Sequence, residues 1–343
     1  MTIRIPAEWE PHACCWMAWA VHPEWKDWVD KVKAELEAVV KAIARFEPVR
    51  LLTAPDQIAD ARARFSGGNV EIIEAPVDDI WMRDIAPIFA LRGGEVVAID
   101  CNFNGWGNTR ERRARPGDRL AATAGAIFGV PRICAPFIAE GGALITDGEG
   151  TLVTTESCLL DPDRNPFGSV EVRKRSIERT LEEFGVRRLI WLRGDPCEPV
   201  TSGHIDGYAL FTKPGAMLVE AIDDSDVTPP QWRACDIEIL ENSRDAHGRR
   251  LRVERVLAPR KQYWKFKGNM FAPCYLNAYL ANGEVIGACF GDGKRDGAAK
   301  DALARAFPGR RIEMLRIDHI AAGGGGVHCL TQPMPKPDGT EWK

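Results

Sequence analysis

The sequence predicts an α/β fold made from a ββαβ unit repeated about five times and closed into a ring. Three observations predict it. β-rich runs come in pairs about a turn dipeptide, a helical pattern follows each pair, and a further β-rich run closes each group. The turn centres fall about 54, 67 and 68 residues apart, a period that belongs to a repeated supersecondary unit.

The N-terminal part is a variant of the unit: CCWMAW, a helix near 26–46, PVRLLTAP, a short helix near 56–65, then VEIIEAP. Cys14 and Cys15 sit in the apolar CCWMAW run and read as core. The first hairpin, ALRGGEVVAID (90–100), turns at Gly93-Gly94; the helical RLAATAGAIFG (119–129) and the strand PRICAP follow. The second hairpin, LITDGEGTLVTT (144–155), turns about Gly148. It leads to SVEVRKRSIERTLEEFG (169–185), where Ile177, Leu181 and Phe184 recur at helical spacing and Gly185 supplies a stop, and then to VRRLIWL. YALFTKPGAMLVEAI (208–222) turns at Pro214-Gly215 before QWRACDIEILENS (231–243) and RVERVLAP. LNAYLANGEVIGACF (276–290) turns at Asn282-Gly283 before RDGAAKDALARAF (295–307) and RIEMLRI. No Pro/Ser-rich linker interrupts the series, so residues 1–343 read as one domain.

Composition narrows the function. A formal charge of -4 and a pI near 6.0 leave no basic footprint for nucleic acid. No run has the length of an export signal or a membrane span, so a cytoplasmic protein with ten free thiols is expected. CxxC, HExxH, P-loop, GxGxxG and GxSxG patterns are absent.

Four unusual stretches share one place in the repeat, between the closing strand of one unit and the next hairpin. DDIWMRD (78–84) follows VEIIEAP, EGG (140–142) follows PRICAP, GHID (203–206) follows VRRLIWL, and GGGGVHC (323–329) follows RIEMLRI. In a ring of equivalent units these places converge on the axis. That gathers the Cys329 thiol, the His204 imidazole and the carboxylates of Asp84, Glu140 and Asp206. Strand alternation would turn Asp84 inward with Ile80 and Met82, put His204 and Asp206 on one face, and send His328 to the face opposite Cys329. Three acids about a thiol, with no obvious lysine or arginine to bind an anion, suit a planar cationic electrophile such as a guanidinium.

These residues reach a known family. PAEWEPH, WMAW, DDIWMRD, NFNGWG, EGG with DGEGT, RNP, GHID, FGD and GGGGVHCLTQPMP together resemble the agmatine deiminases and the bacterial-type peptidylarginine deiminase-like group of the guanidine-modifying (pentein) superfamily, nearly end to end. The resemblance implies a five-bladed β/α propeller. It implies Cys329 as nucleophile, His204 as general acid/base, Glu140 as the acid orienting His204, and Asp84 with Asp206 as the guanidinium clamp. It implies no metal and no organic cofactor, a small guanidino substrate and compatibility with a homodimer. The implied reaction takes agmatine to N-carbamoylputrescine and ammonia through a covalent thiouronium on Cys329. Trp81 and Trp106 are candidates to pack on the substrate's methylene chain, against core packing as the plainer reading. Departures from the family pattern fall around the site: Trp19-Ala20, Ile85-Ala86 after Asp84, Gly207 after Asp206, and Gln332-Pro333. They bear on the far end of the substrate. Another alkylguanidine, arginine or a derivative, peptidyl-arginine, an amidinotransferase and a non-catalytic binding module are the alternatives.

Overall fold

The computed structural model describes residues 2–107, 115–223 and 230–339. The chain opens with β1 (Ile3–Arg4), β2 (His12–Trp19), α1 (Val29–Ala44), β3 (Val49–Thr53), α2 (Ile58–Arg64), β4 (Val70–Glu74) and the single turn α3 (Met82–Ile85). Next come β5 (Ile88–Arg92), β6 (Glu95–Asp100), α4 (Ala124–Ile127) and β7 (Arg132–Cys134), then β8 (Ile145–Thr146), β9 (Thr151–Thr155), α5 (Glu156–Leu159), α6 (Val170–Glu183) and β10 (Arg188–Leu192). The last third holds β11 (Ala209–Lys213), β12 (Ala216–Ala221), α7 (Gln231–Asn242) and β13 (Arg252–Leu257), then β14 (Tyr279–Ala281), β15 (Glu284–Cys289), α8 (Gly293–Ala306), β16 (Arg311–Arg316), α9 (Asp318–Ala322) and β17 (Gln332–Pro335).

The strands form five separate small sheets among the described residues, ordered β1-β5-β6-β7, β10-β9-β8, β11-β12-β13, β14-β15-β16 and β17-β2-β3-β4. Four of them repeat one plan: an antiparallel hairpin whose second strand takes a third strand in parallel, with a helix in the crossover. In the fifth, β17 from the C-terminal end pairs antiparallel with β2, Gln332 opposite Trp16 and Met334 opposite Cys14, where a hairpin strand stands elsewhere. The two ends of the chain are thereby fastened in one sheet.

Local sequence explains the elements. In α1, Val32, Leu36, Val39, Val40 and Ile43 recur on one face and are buried against β15 and the surrounding core. Ser169 caps α6, its hydroxyl accepting from Val172 N–H. The β11–β12 turn needs φ +71° at its second residue, which Gly215 adopts without strain. Cys14 and Cys15 are buried as expected. RLAATAGAIFG departs from the continuous helix its pattern predicts. Two 3-10 turns, Pro116–Arg119 and Ala121–Thr123, precede the four residues of α4, with the Thr123 hydroxyl on the Leu120 carbonyl.

What the fold does for function lies in the connections after β4, β7, β10 and β16. Each is a short helical turn. α3 packs on the turn His328–Leu330 and on Gly141–Ala143, which in turn meets Ile205–Gly207.

Candidate active site

The local geometry of two site stretches differs from the strand alternation the sequence predicts. Asp84 N–H and Ile85 N–H both reach the Trp81 carbonyl, so WMRD closes a helical turn, and Asp84 is turned inward by that turn. GHID likewise enters a 3-10 turn, with His204 extended at its start and Asp206 one step inside. A turn brings residues two apart closer than a strand does, and both side chains still face one centre. His328 was expected on the face opposite Cys329. It too lies in a 3-10 turn, and its Nδ1 is 2.8 Å from Asp206 Oδ2, so both neighbours address the same carboxylate.

Gly142 is the hub of this arrangement. A Cβ there would come within 2.5 Å of His204 Nδ1 and 3.0 Å of both Asp84 Oδ1 and Asp206 Oδ2. Its N–H donates to Asp84 Oδ1 at 3.1 Å. His204 is buried with Nε2 3.1 Å from Glu140 Oε2 and Nδ1 3.9 Å from both Asp84 Oδ1 and Asp206 Oδ1. The half-buried Cys329 offers its thiol to Asp206 Oδ2 at 3.6 Å and receives Asn277 Nδ2–H at 3.2 Å. Cys329, His204 and Asp206 line one cavity of about 280 Å³; Asp84 faces His204 Nδ1 beside Asp206, Glu140 faces Nε2, and neither of these two acids lines that cavity.

Charge and burial set the protonation states. Burial by itself would lower the His204 pKa, but Asp84, Cys158 and Glu140 overcome it and hold the imidazole well above its ordinary value. Burial works against Glu140 too, yet Arg164 and His204 bring its carboxyl down to about 2. Asp84 is raised, by burial and by the neighbouring Asp206 and Glu140, against the pull of His204. Asp206 is lowered in spite of burial, through His328 first and His204 next. Burial, then Asp206 and Asp84, push the Cys329 thiol well above its usual range. At rest the cluster is an imidazolium among carboxylates beside a protonated thiol.

Several contributors escaped the sequence reading. Arg164, of the RNP stretch, is fully buried with Nε 3.0 and 3.1 Å from the two Glu140 oxygens and Nη2 donating to the Thr201 carbonyl. The motif was visible, but its role as Glu140's counter-ion needed the fold. Asn277 gave no signal beyond a hairpin, yet it grips Cys329 twice, its Oδ1 also accepting the Cys329 N–H at 3.3 Å. Glu8, inside PAEWEPH, bonds Arg83 at 2.7 Å and His328 Nε2 at 2.8 Å and backs the Asp206 side. Cys158 sits 3.7 Å from Glu140 Oε2. Glu140, Cys158 and His204 offer three mutually close ligand atoms, the one set among the described residues of a kind that could hold a metal ion. Arg164 already supplies the positive charge at Glu140, which disfavours a second cation there.

Neither Trp81 nor Trp106 is among the residues that line the cavity holding Cys329. Trp106 turns its indole N–H onto Asp84 Oδ2 at 2.8 Å and packs edge-on against Phe103. Trp81 is buried against Gly325, where a Cβ would meet its ring at 2.5 Å, with Trp25 beyond it. Trp19, beside the Ala20 departure, is core, its indole N–H on Asp60.

A mixed α/β fold of repeated small sheets whose connecting turns gather a thiol, an imidazole and three carboxylates, with Cys329, His204 and Asp206 lining the cavity, defines an enzyme site of the cysteine–histidine–acid class. The comparisons with known proteins are specific. The chain belongs to the Porphyromonas-type peptidyl-arginine deiminase family, whose model matches residues 4–335. It is 37% identical to the agmatine deiminase of Pseudomonas aeruginosa (strain LESB58), over 97% of this chain and 96% of that protein. It is 35% identical to the agmatine deiminase of Ectopseudomonas mendocina (strain ymp), over 98% and 96%. Among solved structures, the agmatine deiminase of Enterococcus faecalis superposes with a TM-score of 0.89 at 29% identity, covering 97% of this chain and 96% of that one.

Proposed function

We propose that this chain is a C–N hydrolase that deiminates agmatine, giving N-carbamoylputrescine and ammonia, with Cys329 as nucleophile. The observation that carries the residue roles is the Asp206 carboxylate 3.6 Å from the Cys329 sulfur, beside the buried His204. A guanidinium paired to Asp206 and Asp84 has its central carbon within reach of that sulfur. The bound cation offsets the negative charge that keeps the thiol protonated, so with substrate in place the thiol gives its proton to solvent, His204 being already protonated, and thiolate forms.

The chemistry then balances in two halves. Thiolate adds to the guanidinium carbon, forming a C–S bond and a tetrahedral adduct. His204, held as imidazolium between Glu140 and the two aspartates, gives its proton to the departing nitrogen, and ammonia leaves with the C–N electron pair. A water then adds to the S-alkylthiouronium, His204 takes its proton, and the C–S bond breaks to restore the thiolate and release the ureido product. Glu140, fixed by Arg164, orients the imidazole throughout.

We read the five sheets as five blades about one axis, a single catalytic unit over 1–343 with the site at the axis, in agreement with the meeting of the four connecting turns. No helix among the described residues is long and apolar enough to cross a membrane. Ten unpaired cysteines fit a reducing cytoplasm, and a homodimer is the expected assembly.

The test is ammonia release across agmatine, 4-guanidinobutyrate, arginine and an arginine peptide. Agmatine is expected to give the highest kcat/KM. Cys329→Ser is expected to abolish turnover with unchanged folding, and acid quenching of the wild type should leave an adduct on Cys329 alone. An adduct on another cysteine overturns the assignment.

A further inference from the structure

The cavity that holds Cys329, His204 and Asp206 continues along a second wall that includes Tyr208, Trp264 and Phe271. It passes Gly207, where an added Cβ would meet nothing within 4 Å, so the way past the clamp is open. Four acids besides Asp206 face this space: Asp195, Glu198, Glu220 and Asp223. Three are occupied. Asp195 caps the Cys197 N–H, Glu198 holds the Thr201 N–H and hydroxyl, and Asp223 is paired with Arg295 at 2.7 Å.

Glu220 is different. At the end of β12 it is 5% exposed, its Oε2 accepts the Tyr275 N–H at 2.9 Å, and no ion pair forms at its carboxylate among the described residues. Three cations share the cavity wall: Arg260 is paired with Asp292, Lys261 lies over the Trp264 ring, and Arg233 of α7 bears on Glu220 through its charge. Arg233 Nη1 donates to the Glu220 backbone carbonyl, and its guanidinium lies 4.1 Å from the Tyr208 ring centre and 4.6 Å from that of Trp232. A buried carboxylate in the wall of a substrate cavity, with a guanidinium nearby but no direct ion pair among the described residues, is a place that a cationic ligand group can take.

We propose that Glu220 reads the far end of the substrate, its carboxylate taking the primary ammonium carried on the tail of the guanidino compound. This rests on the deiminase reading and goes beyond it by naming the residue that selects the tail. The titration fits. Burial pushes Glu220 up to about 7, opposed by Arg233 and by the Tyr275 N–H and Cys274 thiol that face it from the segment before β14. Protonated and neutral in acid, it gains the charge that an ammonium needs as pH rises through about 7. Aromatic walls over the chain and one acid at its end suit an alkyl tail with a terminal amine.

The test compares kcat/KM for agmatine with that for n-butylguanidine, which has the same guanidinium and an uncharged tail. Their ratio cancels titrations of the shared chemistry. In the wild type it is expected to rise between about pH 6 and about pH 8.5. Glu220→Gln should lower the ratio at the upper end at least about tenfold and flatten it, while n-butylguanidine turnover persists and reports a folded enzyme. Glu220→Asp should keep a rising ratio. An unchanged ratio in Glu220→Gln overturns the proposal. So does a wild-type preference for 4-guanidinobutyrate over agmatine, which would make Arg233 the reader of a carboxylate tail. Failure of the deiminase reading is distinct: no guanidine, with either tail, would release ammonia.

Discussion

Cys329 shares its carboxylate with His328 and its amide partner with its own backbone. Asn277 donates to its sulfur and accepts its N–H, so one side chain both fixes the nucleophile and supplies the hydrogen bond that favours thiolate. A hydrogen bond to a charged group contributes about 1.5–3 kcal/mol, and each pKa unit is worth about 1.36 kcal/mol. Asn277→Ala should therefore raise the thiol pKa further. Thiolate is the reactive form, so iodoacetamide inactivation of the free enzyme climbs with pH, and at a fixed mildly alkaline pH the variant should react about tenfold or more slowly. A wild-type alkylation profile in Asn277→Ala would leave Asn277 a merely structural residue. Arg164 acts one step further back. Its removal strands Glu140 buried beside an imidazolium, and breaking such a buried pair costs about 3–5 kcal/mol. Arg164→Met should lose both Tm and turnover, with the activity profile shifted because Glu140 no longer holds its depressed pKa.

Among the elements, the connecting turns matter more than the strands they join. Their place in the repeat was legible from order alone, because each follows a closing strand, and the structure does bring their side chains together. Their conformation was not legible. IWMRD and GHID are short, and at four or five residues an apolar–polar alternation cannot separate a strand from a helical turn. The decision fell to backbone hydrogen bonds, such as those to the Trp81 carbonyl, and to the crowding of four turns at one point. Gly142 tests this crowding. Gly142→Ala puts a methyl on His204 and both aspartates, and overpacking of this kind costs about 1–3 kcal/mol. A modest fall in Tm with a loss of kcat/KM of more than about a hundredfold is expected from displaced catalytic groups. Near-normal activity would mean that the three side chains are not held as tightly as the geometry implies.

At the scale of the whole molecule, β17 joins the Cys329 turn to the sheet that holds β2. It begins three residues after Cys329 and is pinned antiparallel to β2, with Met334 buried in the core that also holds Trp16, Phe89 and Phe128. The turn that carries Cys329 thus leads directly into a strand paired with β2 near the start of the described chain. Met334→Asp introduces an unpaired buried charge, which costs several kcal/mol. Thermal stability and ammonia release should fall together, and the 3-10 turn should become accessible to limited proteolysis. A variant that lost stability yet kept full kcat would separate the strap from the site.

The sequence alone determined the order of elements, the repeat, the four hairpins, the long helices and the five polar side chains that the structure brings together. Those are local or periodic properties, written in turn dipeptides, helical spacing and short motifs. The tertiary structure alone decided that WMRD and GHID are turns, that the Trp106 indole N–H donates to Asp84, and that Arg164, Asn277 and Glu8 bond Glu140, Cys329 and His328. Asn277 lies 52 residues from Cys329, and Glu8 lies 320 from His328. Partnerships over such separations leave no local trace, because they are made by packing units that are distant in the chain, and a single sequence carries no record of which units will meet.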